Sequence, residues 1–177
     1  MNLPNKLSIA RVLCIPAIVI LLYFQDPVCR LAAASLFVLG CFTDFLDGHI
    51  ARKRNLVTNF GKFIDPVADK LLVLTTLIML IHLHMMDAWI VIVILCRELA
   101  VDGLRMVAVT KGTVIAAGPL GKWKTTFQMI LISVMLFLNL SVYQAWPVTV
   151  LAGIVVVLTL LSGVDYFVRN RSVLSES

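Results

Sequence analysis

The chain has 177 residues, 60% of them hydrophobic, and a net charge of +5. Soluble domains are usually about 45–50% apolar, so this composition excludes an ordinary water-soluble domain, makes the lipid bilayer the expected solvent and leaves no nucleic-acid partner to expect. Backbone polar groups in hydrocarbon must pair internally, which leaves helices or a closed barrel. The apolar runs are about 20 residues long and lack the period-2 alternation of barrel strands, so an all-α polytopic membrane protein is expected.

Six transmembrane helices are predicted in chain order. The first spans 5–25, behind the turn-forming Asn2-Leu3-Pro4-Asn5, and Gln25-Asp26-Pro27 ends it. No cleavable signal pattern follows it, so it is expected to be its own insertion signal. The second runs over 30–54 and a polar turn, Asn55 to Asn59, leads to the third, 60–84. Pro66 lies in the first turns of the third, where a proline either kinks the helix or is tolerated near its start. The fourth spans 88–110, the fifth opens at Pro119-Leu120-Gly121-Lys122 and runs to 139, and the sixth covers 147–168 before a polar tail. No linker, repeat or low-complexity segment interrupts the chain, so 1–177 is read as a single domain.

Charge placement sets the orientation. Arg30 is the lone basic residue in a segment placed outside, while Lys6, Arg11, Arg52, Lys53, Arg54, Lys62, Lys111, Lys122, Lys124, Arg169 and Arg171 fall at or near the opposite face. The positive-inside rule then puts both termini in the cytoplasm and makes the helix count even. Trp89 and Trp146 fit an aromatic belt at the outer interface, and Trp123 one at the inner. Cys14, Cys29, Cys41 and Cys96 have no metal-binding spacing and read as small apolar residues.

Asp44, Asp47, Asp65 and Asp69 lie within one 26-residue stretch of this apolar sequence. Carboxylates at membrane depth are expensive and usually functional. Four together call for cations, most simply divalent ones that prefer oxygen ligands, such as magnesium or manganese. Helical spacing puts Asp44, Asp47, Gly48 and Ala51 on one stripe, and Gly61, Asp65 and Asp69 on another. A short turn joins the two helices, so both stripes can face one cavity open to the cytoplasm. Gly48 and Gly61 serve either close helix packing or the approach of a bulky group such as a nucleotide. Arg52 at the mouth either holds a phosphate or anchors the helix end.

The pattern Asp-x-x-Asp-Gly-x-x-Ala-Arg, eight residues, then Gly-x-x-x-Asp-x-x-x-Asp resembles the defining motif of the CDP-alcohol phosphatidyltransferase family. Every fixed position is present: Asp44, Asp47, Gly48, Ala51, Arg52, Gly61, Asp65 and Asp69. The resemblance implies transfer of a substituted phosphate from a CDP-linked donor to an alcohol, with release of CMP. It implies two divalent cations, Mg2+ or Mn2+, held by Asp44, Asp47, Asp65 and Asp69, with Asp69 also the general base. It further implies a donor, CDP-diacylglycerol, seated against Asp47, Gly48, Ala51, Arg52 and Gly61, and a homodimer through membrane helices.

The motif does not choose the acceptor. Arg97, Glu98, Asp102 and Arg105 lie in the fourth helix, and Lys122 and Lys124 open the fifth. Lys62, Arg97, Arg105 and Lys122 can line a pocket for a phosphate monoester. The alternative is that Arg97 or Arg105 pairs with Asp102 or Glu98 and braces the bundle. Lys124 is expected to snorkel at the interface. The segments from Asn2 to Arg11, Gly61 to Lys70, Arg97 to Arg105 and Gly121 to Thr125 look like those of the bacterial branch of the family whose acceptor is sn-glycerol 3-phosphate. That resemblance implies an enzyme making phosphatidylglycerophosphate and CMP in the bacterial cell (inner) membrane. Inositol phosphate, serine or phosphatidylglycerol as acceptor, and a divalent-cation transporter, are the rival readings.

Overall fold

The computed structural model describes the backbone of residues 3–54, 59–113, 115–116 and 118–171, and the side chains of 9–43, 67–113, 115–116 and 118–171. Among the described residues there are six helices and no strand: α1 Leu3–Tyr23, α2 Pro27–Arg54, α3 Asn59–His82, α4 Ala88–Thr110, α5 Pro119–Leu138 and α6 Trp146–Arg169. Every predicted helix is present. The largest difference is the start of α2, at Pro27 rather than 30. Asp26 accounts for it: its Oδ2 accepts from the N–H groups of Val28 and Cys29 at 2.9 and 3.2 Å, with proline at the first helical position.

Among the described residues, α1, α3, α4 and α5 each close on a left-handed residue. In α3 the N–H of Met85 donates to Leu80 O and that of His84 to Ile81 O, both at 2.9 Å, with His84 left-handed at φ 54°. Asn139 (φ 52°) follows α5, where Leu140 N–H donates to Met135 O, and Gln25 (φ 54°) follows α1, where its N–H donates to Leu22 O. The six-to-one bonds after α3 and α5 mark the Schellman arrangement, which satisfies carbonyls that a helix end leaves open. Glycine holds the left-handed position only after α4, at Gly112.

The chain groups into two compact units: Met1–Met85 with Ile132–Leu140, and Met86–Leu131 with Ser141–Ser177. In the first, α1 packs on α2 and α3, and α2 touches α3. Ala33, Phe37 and Gly40 make a buried stripe on α2, where small residues let helices approach closely. Approach is so close at Gly40 that an added Cβ would lie 2.8 Å from Leu72 Cδ2. The carbonyl of Gly40 accepts from Arg11 Nε at 3.2 Å and Thr43 Oγ1 at 2.9 Å. Arg11, read from the sequence as an inner-face charge, is 2% exposed.

In the second unit α4 packs on α6. Ile90, Ile94, Val101, Leu104 and Ala108 form the buried stripe of α4; Val148, Ala152, Val155, Thr159, Ser162 and Tyr166 form that of α6. Thr159 and Ser162 return their hydroxyls to their own helix, at Val155 O and Thr159 O, so neither needs a partner across the interface. Among the described residues, α6 alone is long and apolar enough to cross a membrane by length and composition; α1 and α2 hold the shorter apolar stretches Ile9–Tyr23 and Pro27–Thr43.

Candidate active site

The aspartate motif falls on two helices of the first unit. Asp44, Asp47, Gly48, Ala51 and Arg52 are in the last three turns of α2; Gly61, Lys62, Asp65 and Asp69 are in the first three turns of α3. Both segments are helical, so the acids repeat at three- and four-residue steps along each helix, and the two helices touch. The side chains of Asp44, Asp47, Ala51, Arg52, Lys62 and Asp65 lie outside the described residues, as does the His49 side chain. Asp69 is described: it is half-buried, with Oδ1 fully buried. No cluster of three or more metal-binding side chains occurs among the described residues; three of the four aspartates are not among them. Carboxylates are hard oxygen donors, the type that magnesium and manganese prefer, and the buried Oδ1 of Asp69 fits such a cation.

The basic residues expected to hold an acceptor phosphate are in the second unit, except Lys62. Arg97 extends the buried stripe of α4, between Ile94 and Val101. Its Cγ lies 3.2 Å from where a Cβ on Gly163 of α6 would sit, and Nη2 lies 3.3 Å from the same position on Gly121 of α5. The side chain is therefore threaded past two glycines. Arg97 Nη1 donates to Glu98 Oε1 at 3.1 Å, while Nε is buried without a hydrogen-bond partner among the described residues. The sequence left open whether Arg97 pairs with Glu98, and here it does.

Lys124 corrects an expectation. It is not a snorkelling interfacial residue: it is 2% exposed, with Nζ 2.5 Å from Glu98 Oε1. An ammonium so buried needs a carboxylate beside it, and Glu98 lies 26 residues away in sequence. Arg105 faces a partner the sequence did not suggest. Its Nε donates to Tyr166 Oη at 3.0 Å, and its guanidinium carbon lies 5.5 Å from the centre of that ring. Tyr166 reads in sequence as one more apolar position of α6, so no local signal marks it. Lys122 is exposed in the first turn of α5, beside the Gly121 that Arg97 approaches. Arg97 and Lys122 thus share one neighbourhood. Arg105 lies two turns along α4, about 12 Å away by helical rise.

A cavity of about 550 Å3 lies between α4 and α6, lined by Ile92, Val93, Cys96, Ala100, Leu160 and Phe167 among others, with Arg97 its one charged lining residue.

The class this helical, aspartate-bearing arrangement defines is matched directly. The family model for CDP-alcohol phosphatidyltransferase covers residues 1–164, and the chain belongs to the CDP-alcohol phosphatidyltransferase family. Within it, the chain is 45% identical to the CDP-diacylglycerol–glycerol-3-phosphate 3-phosphatidyltransferase of Bacillus subtilis, over 99% of this chain and 98% of the relative. It is 41% identical to the protein of the same name from Rickettsia bellii, over 94% and 93%. It is 36% identical to that from Cereibacter sphaeroides, over 76% of this chain and 62% of the relative.

Proposed function

We propose that this chain transfers the phosphatidyl group of CDP-diacylglycerol to sn-glycerol 3-phosphate, giving phosphatidylglycerophosphate and CMP. The observation that carries this reading is near-complete coverage at 45% identity by a relative named for that reaction, in a chain that has every fixed position of the aspartate motif.

The chemistry follows from the residues. An alcohol is a poor nucleophile until a positioned base takes its proton. Asp69 receives the proton of the acceptor hydroxyl as that oxygen attacks the phosphorus bearing diacylglycerol. The bond from that phosphorus to the bridging oxygen breaks, and the electron pair leaves with CMP. Asp44, Asp47, Asp65 and Asp69 would hold the divalent cations, which would supply neutralising charge for the donor diphosphate and the leaving group. Arg52 holds a donor phosphate, and Gly48, Ala51 and Gly61 leave room for the nucleotide against the backbone. Lys62, Arg97, Arg105 and Lys122 bind the acceptor phosphate, which carries enough charge to draw several cations.

The same reading makes 1–177 one catalytic domain with six membrane spans, both termini cytoplasmic, in the bacterial inner membrane. Each helix turns large apolar side chains outward: Leu13, Leu39, Ile78, Ile92, Phe137 and Leu161 are each at least 40% exposed. In water such surfaces are a liability; in hydrocarbon they are the expected lipid face. Trp89, Trp123 and Trp146 are exposed near the starts of α4, α5 and α6, the level at which indole rings settle at a membrane interface. A homodimer through membrane helices belongs to this reading on the family likeness, and crosslinking in native membranes tests it.

The test of function uses detergent micelles with CDP-diacylglycerol, magnesium and radiolabelled glycerol 3-phosphate. Label is expected in the lipid phase, abolished by EDTA and reduced on the order of 10²–10⁴-fold by Asp69→Asn. CMP release with inositol phosphate, serine or phosphatidylglycerol alone would overturn the acceptor. No CMP release from folded protein with any acceptor would overturn the reaction.

A further inference from the structure

We infer that the end of the first unit remote from the aspartates carries a second, non-catalytic site for a phosphate-bearing anion, built around Arg30. A cavity of about 180 Å3 is lined by Leu22, Gln25, Arg30, Leu83, Met85 and Asn139. That is many times the ~10–15 Å3 that admits one water.

Among the described residues, Arg30 is the one charged residue lining the cavity. Arg30 Nε is buried and has no hydrogen-bond partner among the described residues, and no ion pair to this guanidinium occurs among them. The acid closest in sequence, Asp26, is turned to the start of α2, where its Oδ2 serves Val28 and Cys29. The carbonyls of Leu80, Ile81, Met135 and Leu22 accept the N–H groups of the closing turns, and Arg30 supplies the positive charge at these helix ends. Gln25 and Asn139 add amide N–H donors. A guanidinium fork with flanking amides matches phosphate oxygens. By helical rise the site lies about 20 Å from Asp69 along α3, counted to Leu83, so it is no part of the transfer chemistry. Tyr23, Phe24 and Val28 are each at least 66% exposed beside it, and Tyr23 stacks on His82 with centroids 5.6 Å apart. An aromatic, apolar rim around a cationic pocket suits a phospholipid headgroup; a free phosphate ion would use the same donors.

The test is thermal unfolding of the full chain in neutral detergent, titrated with inorganic phosphate in one arm and dihexanoyl phosphatidylglycerol in the other. A ligand that binds only the folded state raises the midpoint saturably. The expected result is such a rise in the lipid arm, shifted at least tenfold to higher concentration by Arg30→Gln and less by Arg30→Lys, with turnover unchanged. A matching Arg30-dependent rise in the phosphate arm supports the site and makes its ligand the free ion as well. Leu83→Trp narrows the cavity without touching the guanidinium and is expected to weaken binding too, so the inference stays testable if Arg30→Gln fails to fold. Titrations unaffected by both Arg30→Gln and Leu83→Trp, or by Leu83→Trp alone where Arg30→Gln does not fold, would overturn the site and leave the transferase reading intact.

Discussion

Lys124 and Glu98 form a buried ion pair at 2.5 Å, and the same carboxylate oxygen accepts from Arg97 at 3.1 Å. Two cations, from α4 and α5, thus share one carboxylate oxygen. Removing a single partner of a buried pair is costlier than the pair is worth, because it strands charge. Glu98→Ala is expected to destabilise the protein by about 3 kcal/mol, read by unfolding in detergent. Lys124→Met leaves Glu98 with Arg97 and should cost clearly less. Equal losses in the two variants would contradict this account.

Gly163 and Gly121 leave a passage for the Arg97 side chain, with Cβ positions 3.2 and 3.3 Å from its atoms. Gly163→Ala is expected to displace the guanidinium by a few tenths of an ångström. If Arg97 holds the acceptor phosphate, KM for glycerol 3-phosphate should rise on the order of tenfold with a smaller change in kcat. Steady-state kinetics decides, and an unchanged KM removes Arg97 from the acceptor site.

Gly40→Ala places a methyl group 2.8 Å from Leu72 Cδ2. Overpacking of this kind costs about 1–3 kcal/mol. The double variant Gly40→Ala with Leu72→Ala should recover part of that loss, and the coupling between the two sites is measurable as a double-mutant cycle. Strictly additive losses would show that the helices part instead of clashing.

Tyr143 donates to Asp87 in the loops ahead of α6 and α4. The hydrogen bond to Asp87, then burial, then the carboxylate charge hold the phenol above its ordinary 10.0. A group whose folded value is raised contributes stability that is fully present below the unfolded value and lost as pH climbs through the folded one. Tyr143→Phe should therefore be less stable than the parent by a constant margin below pH 10, and the margin should close above it. Tyrosinate absorbance during alkaline titration should show a late component that Tyr143→Phe lacks.

Six apolar runs separated by Pro-, Gly- and Asn-containing breaks were legible as six helices, since backbone pairing in a low-polarity chain leaves few alternatives. That Asp44 and Asp47 fall on one helix, and Asp65 and Asp69 on the next, was legible too. The roles of lysine and arginine were not. Lys124 at the start of a helix reads the same whether it snorkels or turns inward; its partner Glu98 lies on another helix, and only the packing brings them together. Arg11 was hidden for the same reason, one of its acceptors being a backbone carbonyl 29 residues on. Tyr166 was hidden because its ring satisfies the apolar period of α6 while its hydroxyl answers Arg105.

The bond from Arg11 to Gly40 has a meaning for biogenesis. Under the proposed six-span topology, an arginine in a lone membrane helix costs about 2.5–3.5 kcal/mol on insertion scales, and part of the offset comes from a carbonyl of the next helix. During synthesis α1 would wait at the translocon until α2 has emerged, and the two would pass into lipid as a hairpin. A nascent chain halted between them would be the one most exposed to membrane quality control.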